Sequence, residues 1–208
     1  YPEEFLANNQ KIYACIIGKQ YKKLSKKYIN INKSLISKLD QNKSIEKIIM
    51  VVDKKYFNKY FYKKSKKFIF IKRNKYIKSL TIRNLLMYIY KKFTKVDIDY
   101  MMYFNLDYLH RPKNFINELV EKALHGINNV VVYAYKISAK YVYNDKKKIV
   151  IVNKKLKKSN NFSVTYNYLY GLGSIFYFNK LKNLSLKDKD IEVISLKNIK
   201  YLERESKK

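Results

Sequence analysis

A chain of 208 residues is long enough for one sizeable core or two small ones, and 47% hydrophobic with 16% aromatic residues excludes a disordered polyelectrolyte. A formal charge of +30, from 46 basic and 16 acidic residues, repels itself when the chain is compact and implies a polyanionic partner. Every basic residue except Arg73, Arg83, Arg111 and Arg204 is lysine. A/T-rich codons account for lysine in place of arginine, but glutamate codons are nearly as A/T-rich, so the excess of base over acid needs a physical cause.

In chain order, KIYACIIG (residues 11–18) reads as a short strand and is followed by a basic stretch with interleaved tyrosines. Residues 34–41 predict a short helix with Leu35, Ile36 and Leu39 on one face. The β-branched run IEKIIMVV (45–52) predicts a buried strand, and residues 67–71 a second. The stretch FIFIKRNKYIKSL then breaks at Lys72, Arg73, Asn74 and Lys75 before a helical pattern. Ile82, Leu85, Leu86, Ile89 and Phe93 recur at helical spacing, and VDIDYMMYF (96–104) alternates as a strand with Asp97 and Asp99 on its polar side.

After HRP, Asn114 is a candidate N-cap for a helix carrying Phe115, Ile116, Leu119, Val120, Ala123 and Leu124, which Gly126 would end in the left-handed conformation. Strand-like runs follow at residues 130–137, 148–152, 163–170, 174–178 and 191–196. The expected organisation is α+β in class: an N-terminal basic segment (1–33), an αββαβ unit (34–104), and a second α+β unit with a largely antiparallel sheet (105–208).

Several chemistries are poorly supported. Cys15 is the only cysteine, which excludes an intrachain disulfide and fits a reducing compartment, and His110 and His125 lack the cysteine partners of a zinc site. Residues 159–179 carry no charge but are too polar for a membrane span, and the acidic N-terminus has no apolar signal core. Gly171-Leu172-Gly173 is a GxG with no helix after it and reads as a bend between strands. Glu118 and Glu121 read as partners of nearby lysines, and most of the 22 tyrosines as core or strand residues.

The order helix, strand, strand, loop, helix, strand resembles a type II KH domain, whose Gly-x-x-Gly loop brings backbone amides to RNA phosphates. With the Lys72–Lys75 break as that loop, the chain resembles the universal third protein of the small ribosomal subunit over residues 34–180. LISKLDQNKSIEKIIMVV, FIFIKRNKYIKSL and NFINELVEKALHG stand where that family has its first helix and strand, its loop, and the helix opening its second domain. The loop glycines are missing, and Asn117, Glu118 and Glu121 stand where the family has basic residues.

The resemblance implies a non-catalytic, rRNA-binding constituent of an organellar small subunit, mitochondrial rather than plastid. Its partners would be ribosomal RNA and neighbouring ribosomal proteins, with no membrane, small-molecule substrate or cofactor. The candidate RNA contacts are Lys72, Arg73, Asn74 and Lys75 in the loop, and Lys19, Lys22, Lys23, Lys26 and Lys27 in the basic segment. Lys146, Lys147, Lys148, Lys154, Lys155, Lys157 and Lys158 form two further clusters.

A second resemblance belongs to another class. KIYACIIG, a basic loop, and IEKIIMVVD look like the start of a sugar-activating cytidylyltransferase, and YFNLDYLHRPKNFINELVEKAL and YGLGSIFYF can be laid on the same fold. It implies a glycine-rich phosphate loop after the first strand, where residues 19–27 contain no glycine. It also implies metal-holding carboxylates, for which Asp97, Asp99 and Asp107 are the candidates.

Overall fold

The computed structural model describes residues 10–18, 25–53, 65–93, 98–126, 128–137, 141–143, 149–151, 165–178 and 191–202. Its elements are β1 (Ile12–Ile17), α1 (Lys26–Gln41), β2 (Ile45–Val52), β3 (Phe68–Lys72), α2 (Lys75–Ser79), α3 (Ile82–Phe93), β4 (Tyr100–Asn105) and α4 (Phe115–His125). Then come β5 (Val130–Ile137), β6 (Tyr141–Tyr143), β7 (Ile149–Ile151), β8 (Thr165–Tyr168), β9 (Ser174–Tyr177), β10 (Ile191–Ser195) and a 3-10 turn (Ile199–Leu202).

The main sheet runs β10-β5-β9-β4-β1-β2-β3, with β8 also paired to β5, and β6 and β7 form a separate pair. β1 lies between β2 and β4 and is parallel to both, while β3 is parallel to β2. β9 runs antiparallel between β4 and β5, and β10 is parallel to β5. One mixed sheet therefore joins strands from both halves of the chain.

Burial explains this arrangement. All six residues of β1 are buried, with Ile12, Ala14 and Ile16 packing with Leu35, Ile36 and Leu39 of α1 and Leu119 of α4. Tyr13, Cys15 and Ile17 pack on the opposite side with Ile77, Leu85, Leu86 and Ile89 of α2 and α3. β4 divides in the same way, Met102 and Phe104 to one cluster and Met101 and Tyr103 to the other. A strand apolar on both faces is stable only between two layers, which is the signature of parallel, doubly covered sheets.

The KH expectation is corrected on this ground. It left the 11–18 strand outside the domain, whereas that strand lies inside the sheet between β2 and β4. The expected second unit with its own largely antiparallel sheet is also corrected, because β5, β8, β9 and β10 belong to the sheet of β1–β4. Local details differ too. The first helix begins at Lys26, eight residues ahead of the expected start, and the Ser25 hydroxyl caps it by accepting from Tyr28 N at 3.0 Å.

Asn74 is extended and caps α2 through its Oδ1, which accepts from Ile77 N at 2.9 Å. Gly126 is likewise extended (φ −85°), and a Cβ there would lie 2.6 Å from the Lys122 carbonyl. Close approach, rather than a left-handed backbone, is what this glycine provides.

Candidate active site

In an open sheet wound this way, the chain goes from β1 to β2 on one side and returns to β4 on the other. Ligands bind in the crevice at the carboxyl ends of such strands, where the order reverses. In this chain that crevice is bordered by Gly18, Arg73 and the 105–108 turn.

Gly18 N donates to Val51 O at 3.2 Å, and Leu106 N donates to Ile17 O at 2.8 Å, so both neighbouring strands pin the exit of β1. A Cβ on Gly18 would meet Val52 Cγ1 at 2.9 Å and Leu106 Cδ1 at 3.0 Å. After β4, Asn105 Oδ1 accepts from Asp107 N at 2.9 Å, closing a tight turn that leaves Asp107 3% exposed. Asn105 N donates to Gly171 O at 2.7 Å, joining this turn to residues 169–173, the bend between β8 and β9. A Cβ on Gly171 would lie 2.8 Å from Asn105 Cβ and 2.9 Å from Tyr108 Cε2, so only glycine fits.

Arg111 locks the two turns together. Its Nε donates to Leu172 O at 3.0 Å, Nη1 to Tyr108 O at 3.1 Å and Nη2 to Asn105 O at 2.6 Å. Burial lowers its pKa to about 10, so it stays cationic at neutral pH. On the other side of the crevice, Arg73 N donates to Val52 O at 3.3 Å and Nη1 to Gly18 O at 3.4 Å. Arg73 is also close to Tyr103. The Tyr103 phenol is pushed well up by burial and further by Cys15, Tyr108 and Asp107, with Arg73 acting in the opposite sense. Cys15 is itself raised by complete burial and is chemically inert.

The α1 helix starts at this edge of the sheet. Asn32 Nδ2 in its second turn donates to Leu106 O at 2.9 Å, whereas Lys67 Nζ, just before β3, reaches Asp40 O near its end at 2.9 Å. The first turn of α1 thus carries exposed Lys26 and Lys27 beside the crevice.

The candidate residues fare differently. Lys72, Asn74 and Lys75 are exposed around the end of β3, and Arg73 turns inward. Lys19, Lys22, Lys23, Lys146, Lys147, Lys148, Lys154, Lys155, Lys157 and Lys158 lie outside the described residues, as does Asp97. Asp99 and Asp107 do not converge. Asp99 Oδ2 accepts from Lys11 N at 2.8 Å at the start of β4, and Asp107 follows its end, a strand of roughly 20 Å away.

Among the described residues no three His, Cys, Asp or Glu side chains group around a metal position. A divalent cation at this crevice would have to take most of its ligands from a bound anion and water, with few carboxylates from the described residues. Asp107, 3% exposed, is the described carboxylate that stands just past the end of β4. Glu118 is engaged elsewhere, accepting from Tyr133 OH at 2.5 Å. Arg111, Asn105 and Tyr103 were not singled out by the sequence. The available signal was the polar NLDYLHRP immediately after a strand apolar on both faces.

No protein-family model matches the chain, and no curated protein matches it in sequence. Solved structures do match its fold. The 2-C-methyl-D-erythritol 4-phosphate cytidylyltransferase of Francisella tularensis superposes with a TM-score of 0.62 at 13% identity, covering 95% of each chain. The 4-diphosphocytidyl-2C-methyl-D-erythritol synthase of Anaerococcus prevotii gives 0.59 at 13% identity, covering 93% of this chain and 92% of that one. A CMP:2-keto-3-deoxy-manno-octonic acid synthetase complexed with CTP gives 0.54 at 12% identity over 90% of each.

The fold is thus a Rossmann-like mixed sheet that superposes on those of solved cytidylyltransferases. This overturns the resemblance to the KH-containing ribosomal protein, and with it the expectation of a non-catalytic rRNA-binding subunit with no small-molecule substrate. The whole-chain neighbours are enzymes, and the second resemblance, to cytidylyltransferases, is the one their fold matches.

Proposed function

We propose that this chain is a cytidylyltransferase-type enzyme, binding CTP in the crevice between β1 and β4 and joining its cytidylyl group to a phosphorylated or acidic sugar-like acceptor. The acceptor oxygen attacks the α-phosphorus, the new O–P bond forms as the α–β anhydride breaks, and pyrophosphate leaves. The observation that carries this reading is that Asp107, just past β4, and the Arg73 guanidinium, which reaches from the end of β3 to the carbonyl of Gly18 after β1, meet the carboxyl ends of the two parallel strands that flank the order reversal. The fold match over nine-tenths of both chains supports it.

Each residue has a physical task. Lys26 and Lys27 at the α1 N-terminus meet the triphosphate, where the helix end adds partial positive charge. No glycine follows Gly18 before the helix, so lysine charge replaces backbone amides in holding the phosphates. Asp107 would hold the divalent cation that accompanies the nucleotide, and that ion would neutralise charge building on the phosphates. Arg111 fixes the turn bearing Asp107, so the carboxylate is positioned before substrate arrives. The +30 charge draws anionic substrates toward the crevice.

The test is pyrophosphate release from CTP and Mg²⁺ with a panel of sugar phosphates, polyol phosphates and 2-keto sugar acids, with mass spectrometry of the CMP-linked product. CTP-dependent release with at least one acceptor class, and saturable CTP binding by calorimetry, are expected. The absence of both binding and release would refute the reading.

A further inference from the structure

α1 buries one amide inside an apolar stripe. Tyr28, Leu35, Ile36 and Leu39 join the core around Ile12, Ala14 and Ile16, and Asn32 stands among them, 0% exposed. Its Nδ2 donates to Leu106 O at 2.9 Å, and its Oδ1 is buried with no hydrogen-bond partner among the described residues. An unpaired buried acceptor costs stability, and an apolar side chain of similar shape would remove that cost. The amide is therefore a poor choice for packing alone. What it adds is direction. Apolar contacts tolerate sliding, whereas a hydrogen bond fixes one atom against another.

Leu106 is where the crevice is tied together. Its N donates to Ile17 O at the exit of β1 at 2.8 Å, its O accepts from Asn32, and Asp107 follows it in sequence. Along α1, Asn32 lies about 9 Å from Lys26 at the usual helical rise. This one bond thus sets the axial position of α1, with Lys26 and Lys27, against the turn that carries Asp107. A triphosphate with its cation would span those groups, and the reaction gains when their separation is fixed beforehand.

We infer that Asn32 is a positioning residue: through Leu106 it holds the first turn of α1 in register with Asp107, so that the phosphates and their cation are met together. This rests on the proposed cytidylyltransferase reading and adds a residue that touches neither substrate nor cation.

The experiment compares pyrophosphate release with the acceptor panel, CTP affinity without divalent cation, and thermal melts. The chains are wild type, Asn32→Leu, Ile36→Val, Asp107→Asn and the pair Asn32→Leu with Asp107→Asn. Asn32→Leu removes both polar atoms, so its melting temperature should match or exceed that of wild type. Its kcat should nevertheless fall by about tenfold or more, as it does when a reacting group is misplaced. CTP affinity without cation should stay within about twofold, because Lys26 and Lys27 still meet the phosphates. Ile36→Val thins the packing of the same buried face without touching the bond, and should lower the melting temperature while kcat holds. In the Asp107→Asn background the leucine should cost less than about twofold more, since register against a missing charge no longer matters. Asn32→Ala, which deletes the amide without adding bulk, carries the same expectation for kcat and serves if the leucine variant does not fold.

Full kcat in a folded Asn32 variant overturns the inference and leaves the enzyme reading standing. Additive losses in the paired variant do the same, because Asn32 would then act apart from Asp107. So does a kcat that falls with melting temperature in Ile36→Val as it does in the Asn32 variants. A wild type that neither binds CTP nor releases pyrophosphate overturns both readings.

Discussion

The Nη2 of Arg111 donates to the carbonyl of Asn105 at 2.6 Å, while Asn105 N donates to Gly171 at 2.7 Å. One residue thus joins the turn after β4 to the bend between β8 and β9, and a buried cation keeps three carbonyls in place. Removing the guanidinium leaves those acceptors unpaired, at about 1–3 kcal/mol for each one that stays dry. Arg111→Met is therefore expected to destabilise the chain by at least about 3 kcal/mol in urea unfolding. A loss under about 1 kcal/mol would show that the turns hold without it.

Gly171 and Gly173 flank the same bend and separate two kinds of crowding. A Cβ at Gly171 would meet Asn105 Cβ at 2.8 Å, next to the backbone, where nothing yields easily. At Gly173 the nearest contacts are side-chain atoms of Leu119 and Phe104 at 3.1 and 3.2 Å. Gly171→Ala should cost about 1–3 kcal/mol and Gly173→Ala less. Thermal melts of both variants check the order, and a reversed order would contradict the placement of the bend.

Asp107→Asn tests the proposed chemistry. It retains the side-chain shape but removes the charge that would hold the cation with the nucleotide. Pyrophosphate release is expected to fall by about 10²-fold or more, the scale seen for removing one electrostatic contributor. CTP affinity measured without divalent cation should change little. A variant with full turnover would take Asp107 out of the site.

Much of the fold was legible residue by residue, and the layer plan was not. IEKIIMVV and the 82–93 stripe gave β2 and α3 with their observed bounds. The signal for the true architecture was KIYACIIG, apolar at every position from Ile12 to Ile17, which marks a strand covered on both faces. Its shortness and the lysines after it made it look peripheral. The start of α1 was hidden because its buried stripe runs Tyr28, Asn32, Leu35, Ile36, Leu39, and a buried asparagine at the second position breaks the apolar period. Parallel pairing leaves no short-range mark, since its partners are far apart in sequence. At the site, Arg73 and Asp107 were noticed for other reasons, and only the sheet brings them to one edge.

Alkaline pH tests the burial of the crevice phenol and its counterpart under α4. The Tyr103 phenol is raised by burial and by its neighbours. That of Tyr133 is raised by burial, then by its hydrogen bond to Glu118 and that carboxylate's charge. A phenol whose folded pKa lies above the unfolded value holds its proton more firmly in the native state. Between the two values the native chain binds more protons than the unfolded one, so stability falls as pH rises. The contribution is complete below about pH 10, the ordinary tyrosine value, and is lost progressively above it. Urea midpoints should therefore hold level with respect to these groups from neutral pH to about 9.5, then drop. Ultraviolet titration should show exposed tyrosines ionising first, with a later fraction appearing only as the chain unfolds. Tyr133→Phe isolates one contribution by removing the ionisable group, so its alkaline decline should be shallower than wild type. A decline of the same steepness would mean that Tyr133 does not depend on burial, and the packing of α4 on β5 would need to be redrawn.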